Sequence, residues 1–224
     1  MNPPSCTLVT ACYNMHQYNP KCRTIEESIK LIDPLLKIPV FLVIYGSKKT
    51  LPLIEYLRNS YGFQHITKYI CLELEELWTY QFLDQVKLNR QQFWPTRDER
   101  TCAESHLVCC NKFDFVLDTI YTNPFNTTHF GWIDAFLGTP DGAKLRVCEN
   151  YQPNTVPRIL HQILKQGSTK FHIQQLNVND KKFLKPEHKR EYYMQYRWVV
   201  CGGFFVTAPE AGIKILNRLK DVFV

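Results

Sequence analysis

Side chains able to do chemistry gather in the middle of the sequence, between Arg100 and Asp134. Arg100, Glu104 and Asn111 are spaced i, i+4 and i+11, so on a helix they share one stripe, with Glu104 placed to hold the Arg100 guanidinium. Lys112 lies beside that stripe, within reach of a ligand at its edge. A turn signal, Asn123-Pro124-Phe125, then leads into the apolar segment Phe130-Gly131-Trp132-Ile133-Asp134-Ala135. An acid is out of character at the end of a buried strand. In open parallel sheets ligands bind beyond the carboxyl ends of the strands, where the Asp134 carboxylate would point, and there it could hold a divalent metal against a diphosphate. The alternative is a cap or an ion pair with Arg100 or Lys112, and on spacing alone that reading is the commoner one.

The elements that must position these groups alternate. Cys6 to Tyr13 is a short apolar β-rich run that predicts a buried first strand. Thr24 with Glu27 forms a capping box that starts a helix, Val40 to Tyr45 reads as a second strand, a helix follows around Pro52 to Asn59, and Tyr69 to Leu74 reads as a third strand. Leu77 to Arg97 has no clean period and is expected to be loop with a short helix. A long helix is expected from about Asp98 to Tyr121, a central strand at His129 to Leu137, a helix at Pro157 to Gln166, strands at Phe171 to Val178 and Arg197 to Thr207, and the start of a helix at Pro209. β-α-β alternation with short connections predicts an α/β fold whose parallel sheet is covered on both faces. The last helix runs amphipathic to Val224, so residues 1–224 are expected to form a single domain at the N-terminal part of a longer protein.

Composition narrows the functional classes. The 224 residues are 45% hydrophobic and 21% charged, with no low-complexity tract, which excludes a disordered chain. The apolar runs are too short for a transmembrane segment and the N-terminus lacks the pattern of a secretory signal, so the expected compartment is cytoplasmic. Nine cysteines without a CxxC pair suggest reduced thiols rather than disulfides or a Zn site. A net charge of +6 suits an anionic ligand, and without a basic helix or RNP-like aromatic pattern it does not imply nucleic acid.

Arg100-Thr101-(x)2-Glu104-(x)6-Asn111-Lys112, Asn123-Pro124-Phe125 and Phe130 to Ala135 together resemble the HtrL/YibB (WlaTC-like) family of candidate glycosyltransferases. The opening Thr7 to Tyr13 is similar to that family's first strand, and Gly202-Gly203-Phe204-Phe205 to its late glycine pair, so the resemblance covers most of the chain in order. It implies a GT-A-like, Rossmann-like fold and transfer of a sugar from a nucleotide-sugar, first of all a UDP-sugar, to a carbohydrate-type, lipid or protein acceptor. Thr10, Ala11, Cys12 and Tyr13 would meet base and ribose, and Asn111 would join the donor site. Arg100 and Lys112 would neutralise the diphosphate, Asp134 would take the metal-binding position with Mn²⁺ or Mg²⁺, and Gly202 and Gly203 would let backbone N–H groups approach the sugar. One departure stands out: the usual DxD pair is reduced to Asp134-Ala135-Phe136, so Lys112 and Arg100 could carry the charge stabilisation without a metal. The lone acid also fits an inactive nucleotide- or glycan-binding module. Asp141, Glu149 and Glu210 are available as general base, but spacing selects none of them. His106 and His161 read as structural. Trp78, Tyr80 and Trp94 read first as ordinary core aromatics and second as a sugar-stacking platform.

Overall fold

The computed structural model describes residues 5–92, 98–136, 155–167, 169–175, 185–188 and 200–223. Six strands form one sheet: β1 (Cys6–Cys12), β2 (Phe41–Gly46), β3 (Thr67–Cys71), β4 (His129–Ile133), β5 (Phe171–Gln175) and β6 (Val200–Thr207), in the order β3-β2-β1-β4-β6-β5. β1 pairs in parallel with β2 and β4, and β2 with β3, whereas β6 runs antiparallel to both β4 and β5. The fold is thus α/β with a mostly parallel sheet, as the alternation predicts. The chain moves outward from β1 to β3 and then returns to place β4 on the other side of β1. That reversal opens a crevice between the ends of β1 and β4.

Alternation along the strands divides the core in two. On one face Leu8, Leu42 and Ile44 pack with Ile32, Leu35 and Leu36 of α1 (Ile25–Leu36), Ile54 of α2 (Leu51–Ser60) and Leu160 of α5 (Thr155–Lys165). On the other, Val9, Val43, Tyr45 and Trp132 pack with Phe115, Val116 and Ile120 of α4 (Ala103–Thr122) and Leu216 of α6 (Pro209–Phe223). The inner strands β1, β2 and β4 are therefore buried on both faces, which explains the unbroken apolar runs in the sequence.

Local chemistry sets the element ends. Glu27 N–H donates to Thr24 Oγ1 at 3.3 Å and Thr24 N–H donates to Glu27 Oε2 at 2.8 Å, so the capping box starts α1. The third strand begins at Thr67 rather than Tyr69 and stops at Cys71, because Glu73 and Glu76 close a one-turn 3₁₀ helix over Leu74–Glu76. The stretch expected to be loop with a short helix carries a 3₁₀ turn, Trp78–Phe82, and then α3 (Leu83–Gln92), which buries no residue and so leaves no apolar period to read. Asn123, left-handed at φ 38°, ends α4. At Gly131 on β4 a Cβ would come within 2.3 Å of the Phe205 carbonyl oxygen, so the β4–β6 approach requires glycine there.

One cation belongs to this framework. Arg58 of α2 is fully buried and donates to the carbonyls of Leu36 at 2.8 Å, Ile38 at 2.7 Å and Val40 at 2.9 Å, and through Nε to Thr67 Oγ1 at 2.8 Å. Its guanidinium also lies 4.5 Å from the centre of the Phe63 ring. Burial pulls its pKa down to about 10, which leaves it charged at neutral pH. It closes the turn between α1 and β2, where the Ile38 carbonyl also accepts the Val40 N–H at 2.9 Å and the Leu36 and Val40 carbonyls rely on the guanidinium.

Candidate functional site

A pocket enclosing about 220 Å³ lies beyond the carboxyl ends of β1 and β4. Ala11 and Tyr13 come from the first strand and the residue after it, Trp132, Asp134, Ala135 and Phe136 from β4 and its exit, and Ser105, Val108 and Cys109 from the first half of α4. Met15 closes the same wall, so the lining is largely apolar with a few polar groups.

Asp134 is half-buried at the tip of β4, where its own N–H donates to Gly203 O at 2.8 Å. The Trp132 Nε1–H donates to Asp134 Oδ1 at 2.5 Å. Lys112 follows Cys109 by three residues on α4. Its ammonium donates to Gly202 O at 2.9 Å and lies 5.9 Å from the centre of the Trp132 ring. Trp132, 4% exposed and stacked on Phe115, thus touches the carboxylate with its N–H and offers its face to the ammonium. A Cβ on Gly202 would stand 3.2 Å from Lys112 Nζ, so glycine leaves the ammonium its room. Among the described residues no carboxylate lies within ion-pair distance of Lys112.

Cys109 feels both charges. It is exposed on the pocket wall, and desolvation by its surroundings raises its thiol above the ordinary value, with Lys112 opposing and Asp134 adding to the shift. Burial, with Glu73 second, pushes the Tyr13 phenol up, and its O–H donates to Leu72 O at 2.9 Å, so the ring and not the hydroxyl faces the pocket.

The structure redistributes the residues expected to bind. Asp134, Ala11 and Tyr13 line the pocket, and Lys112, Gly202 and Gly203 surround Asp134. Thr10 and Cys12 are 0% and 1% exposed, on a strand buried on both faces, so their side chains do not line it. Arg100 is a correction. The helix begins at Ala103 and not near Asp98, so Arg100 is not on the stripe. It folds back on Asp98, donating to Oδ1 and Oδ2 at 3.0 Å each. Asp98 accepts the Arg100 backbone N–H as well, and these bonds hold its carboxyl below the usual range. Glu104 meets Lys87 at 3.5 Å. Asn111 is fully buried; its Oδ1 accepts from Thr79 N–H at 3.2 Å, while its Nδ2 has no partner among the described residues. It is an interior residue, one position round the helix from Lys112 and facing the Trp78–Phe82 turn.

Trp78 packs on Phe82 and under Lys220 rather than on the pocket, and Trp94 lies outside the described residues. Asp141 and Glu149 also lie outside them, as do Leu137, residues 176–178 and residues 197–199 of the expected strands. Glu210 follows the end of β6, which pairs with the start of β4 through Phe130 and Thr207, so it sits at the opposite end of the sheet from Asp134. Trp132, Met15, Ser105, Cys109 and Phe136 were not singled out as site residues. Trp132 stands two residues before the acid, the one spacing from which it could have been found.

The expected metal does not match the donors present. Asp134 offers one carboxylate with one oxygen already bonded to the indole, and no group of three or more His, Cys, Asp or Glu able to hold an ion occurs among the described residues. No described helix is long and apolar enough to cross a membrane.

Sheet order, parallel centre and a pocket at the point of reversal define an α/β protein with a mostly parallel sheet covered on both faces. The chain belongs to the HtrL_YibB family, whose model, described as a bacterial protein of unknown function, matches residues 4–177. Among curated proteins none matches. Among solved structures, mouse xyloside xylosyltransferase 1 in its apo form is similar at a TM-score of 0.46 and 11% identity, over 99% of this chain and 72% of that one. A likeness at that level carries no argument about activity.

Proposed function

We propose that the pocket is the donor site of a glycosyltransferase that takes a nucleotide-sugar, with UDP-sugars the first candidates, and passes the sugar to a glycan, lipid or protein acceptor. The reading is supported by one observation above the rest. A half-buried carboxylate and an ammonium without a counter-ion among the described residues flank one indole beside a pocket at the β1–β4 reversal. Breaking a sugar–phosphate bond develops negative charge on the departing diphosphate, so a cation must face it. Lys112 supplies that cation, Asp134 accepts hydroxyl hydrogens of the donor's ribose or sugar, and Tyr13, Met15 and Phe136 give the base an apolar wall.

A thermal-shift panel of UDP, GDP, CMP and their sugars, with and without Mn²⁺, tests the reading. A cognate nucleotide at about a hundred times its Kd should stabilise the chain by about 2.7 kcal/mol. Hydrolysis of the same donor, diminished in Lys112→Ala and Asp134→Ala, marks an enzyme. The single carboxylate favours a second reading, an inactive nucleotide-binding module, which would bind without hydrolysis. No stabilisation by any nucleotide or nucleotide-sugar rejects both.

A further inference from the structure

The geometry points to a diphosphate site in which the Lys112 ammonium, and no divalent cation on Asp134, meets the charge of the leaving group. The inference rests on the donor-site reading and specifies its chemistry.

Asp134 is poorly placed as a metal ligand. A hard divalent ion held against phosphates draws on one or two carboxylates whose oxygens are open to it. Here Oδ1 accepts the Trp132 Nε1–H at 2.5 Å, which draws charge from the carboxylate and fixes its rotation. The other oxygen groups on the wall are engaged as well: Tyr13 O–H donates to Leu72 O at 2.9 Å, and Ser105 O–H donates to Cys102 O at 2.8 Å. An ion at the remaining Asp134 oxygen would also share its surroundings with an ammonium, since Lys112 and Asp134 both contact Trp132 and both act on the Cys109 thiol. Two cations facing one diphosphate repel each other, and the ammonium is the one built into the fold.

Lys112 has what the role requires. It is half-buried, it donates to a neutral carbonyl, Gly202 O at 2.9 Å, and an ammonium has three N–H groups to give. The Trp132 face and the side-chain-free Gly202 leave it room and a favourable field. In the transfer step the bond between the sugar's C1 and the phosphate oxygen breaks, and its electron pair stays on that oxygen. The acceptor hydroxyl oxygen bonds to C1 and its proton passes to water. Lys112 donates hydrogen bonds to the oxygen that gains charge and remains protonated throughout.

Titration of the full chain with UDP and GDP, in EDTA and in Mn²⁺, with uridine and guanosine as phosphate-free probes, tests this. The diphosphate Kd should agree within about threefold between the two conditions, and Lys112→Met should weaken it about tenfold or more in both. Nucleoside binding should be unchanged in Lys112→Met, and Lys112→Arg should restore most of the diphosphate affinity. Where Lys112→Met does not fold, the chelator arm on the wild type decides. Diphosphate binding that vanishes in EDTA and returns with Mn²⁺, with the metal response lost in Asp134→Asn, overturns the inference while leaving the donor site standing. No response to any nucleotide in either condition overturns both.

Discussion

Arg58 and Lys112 are two cations on helices that flank one sheet, and they use the same local contacts for opposite ends. Both donate to main-chain carbonyls and both lie against an aromatic ring. Arg58 has four of its five N–H groups divided among three carbonyls and a threonine in the buried turn between α1 and β2, away from the pocket wall. Lys112 gives one bond to one carbonyl and stands next to a pocket. A buried cation is thus structural where its neighbours consume its donors, and available for binding where they do not.

The comparison breaks most visibly at Arg58. Arg58→Ala takes the guanidinium from the Leu36 and Val40 carbonyls, each worth about 1–3 kcal/mol when buried without a partner, leaves the Ile38 carbonyl with only the Val40 N–H, and should destabilise the chain by about 3–5 kcal/mol. Chemical denaturation measures this, and nucleotide affinity of the fraction that remains folded should not change. A loss under about 1 kcal/mol would mean that water replaces the guanidinium and that the turn is not sealed.

Gly202→Ala sharpens the other side. The new Cβ meets Lys112 Nζ at 3.2 Å, and the flexible stem yields by moving the ammonium off its position. Stability should change by less than about 1 kcal/mol, while UDP affinity falls about three- to tenfold by calorimetry. An unchanged affinity would show that the Lys112–Gly202 contact does not set where the charge is held.

The two cations were not equally legible in the sequence. Arg58 gives no sign of itself, because one arginine in an amphipathic helix reads as a solvated residue until the packing around it is known. Lys112 could be marked because it precedes a strand that ends in an acid. Asp134 could be marked for a similar reason, as a carboxylate closing the apolar run Phe130 to Ile133, although on spacing alone a cap or an ion pair is the commoner reading. The stripe drawn through Arg100, Glu104 and Asn111 failed at its first member. It assumed a helix back to Asp98, whereas Asp98 caps a turn and Cys102 with Ser105 starts the helix later. Thr10 and Cys12 misled because β1 is buried on both faces, so alternation could not tell an inward side chain from one facing the pocket. The capping box at Thr24 and Glu27 needs only four residues, and it set the start of α1 correctly.

A third cation offers the gentlest test. Arg90 of α3 donates to His106 Nδ1 at 2.8 Å and to Thr101 O at 3.0 Å, fastening the turn that leads into α4. This pairing requires Nδ1 to be an acceptor, so the ring must be neutral. Burial first, and Arg90 second, lower the His106 pKa from its ordinary 6.5. The folded chain therefore resists protonation where the unfolded chain accepts it. Above pH 6.5 both states carry a neutral ring and nothing is lost; as pH falls below that value the unfolded state gains the proton first, and stability declines toward the folded pKa. His172 is also depressed and adds to the same trend, so the informative quantity is the difference between the wild type and His106→Gln. That difference in melting temperature should be constant above pH 6.5 and change steadily below it. A flat difference across the whole range would show that Arg90 does not depend on a neutral partner, and that its pairing resembles the permanent enclosure of Arg58 more than a bond that pH can loosen.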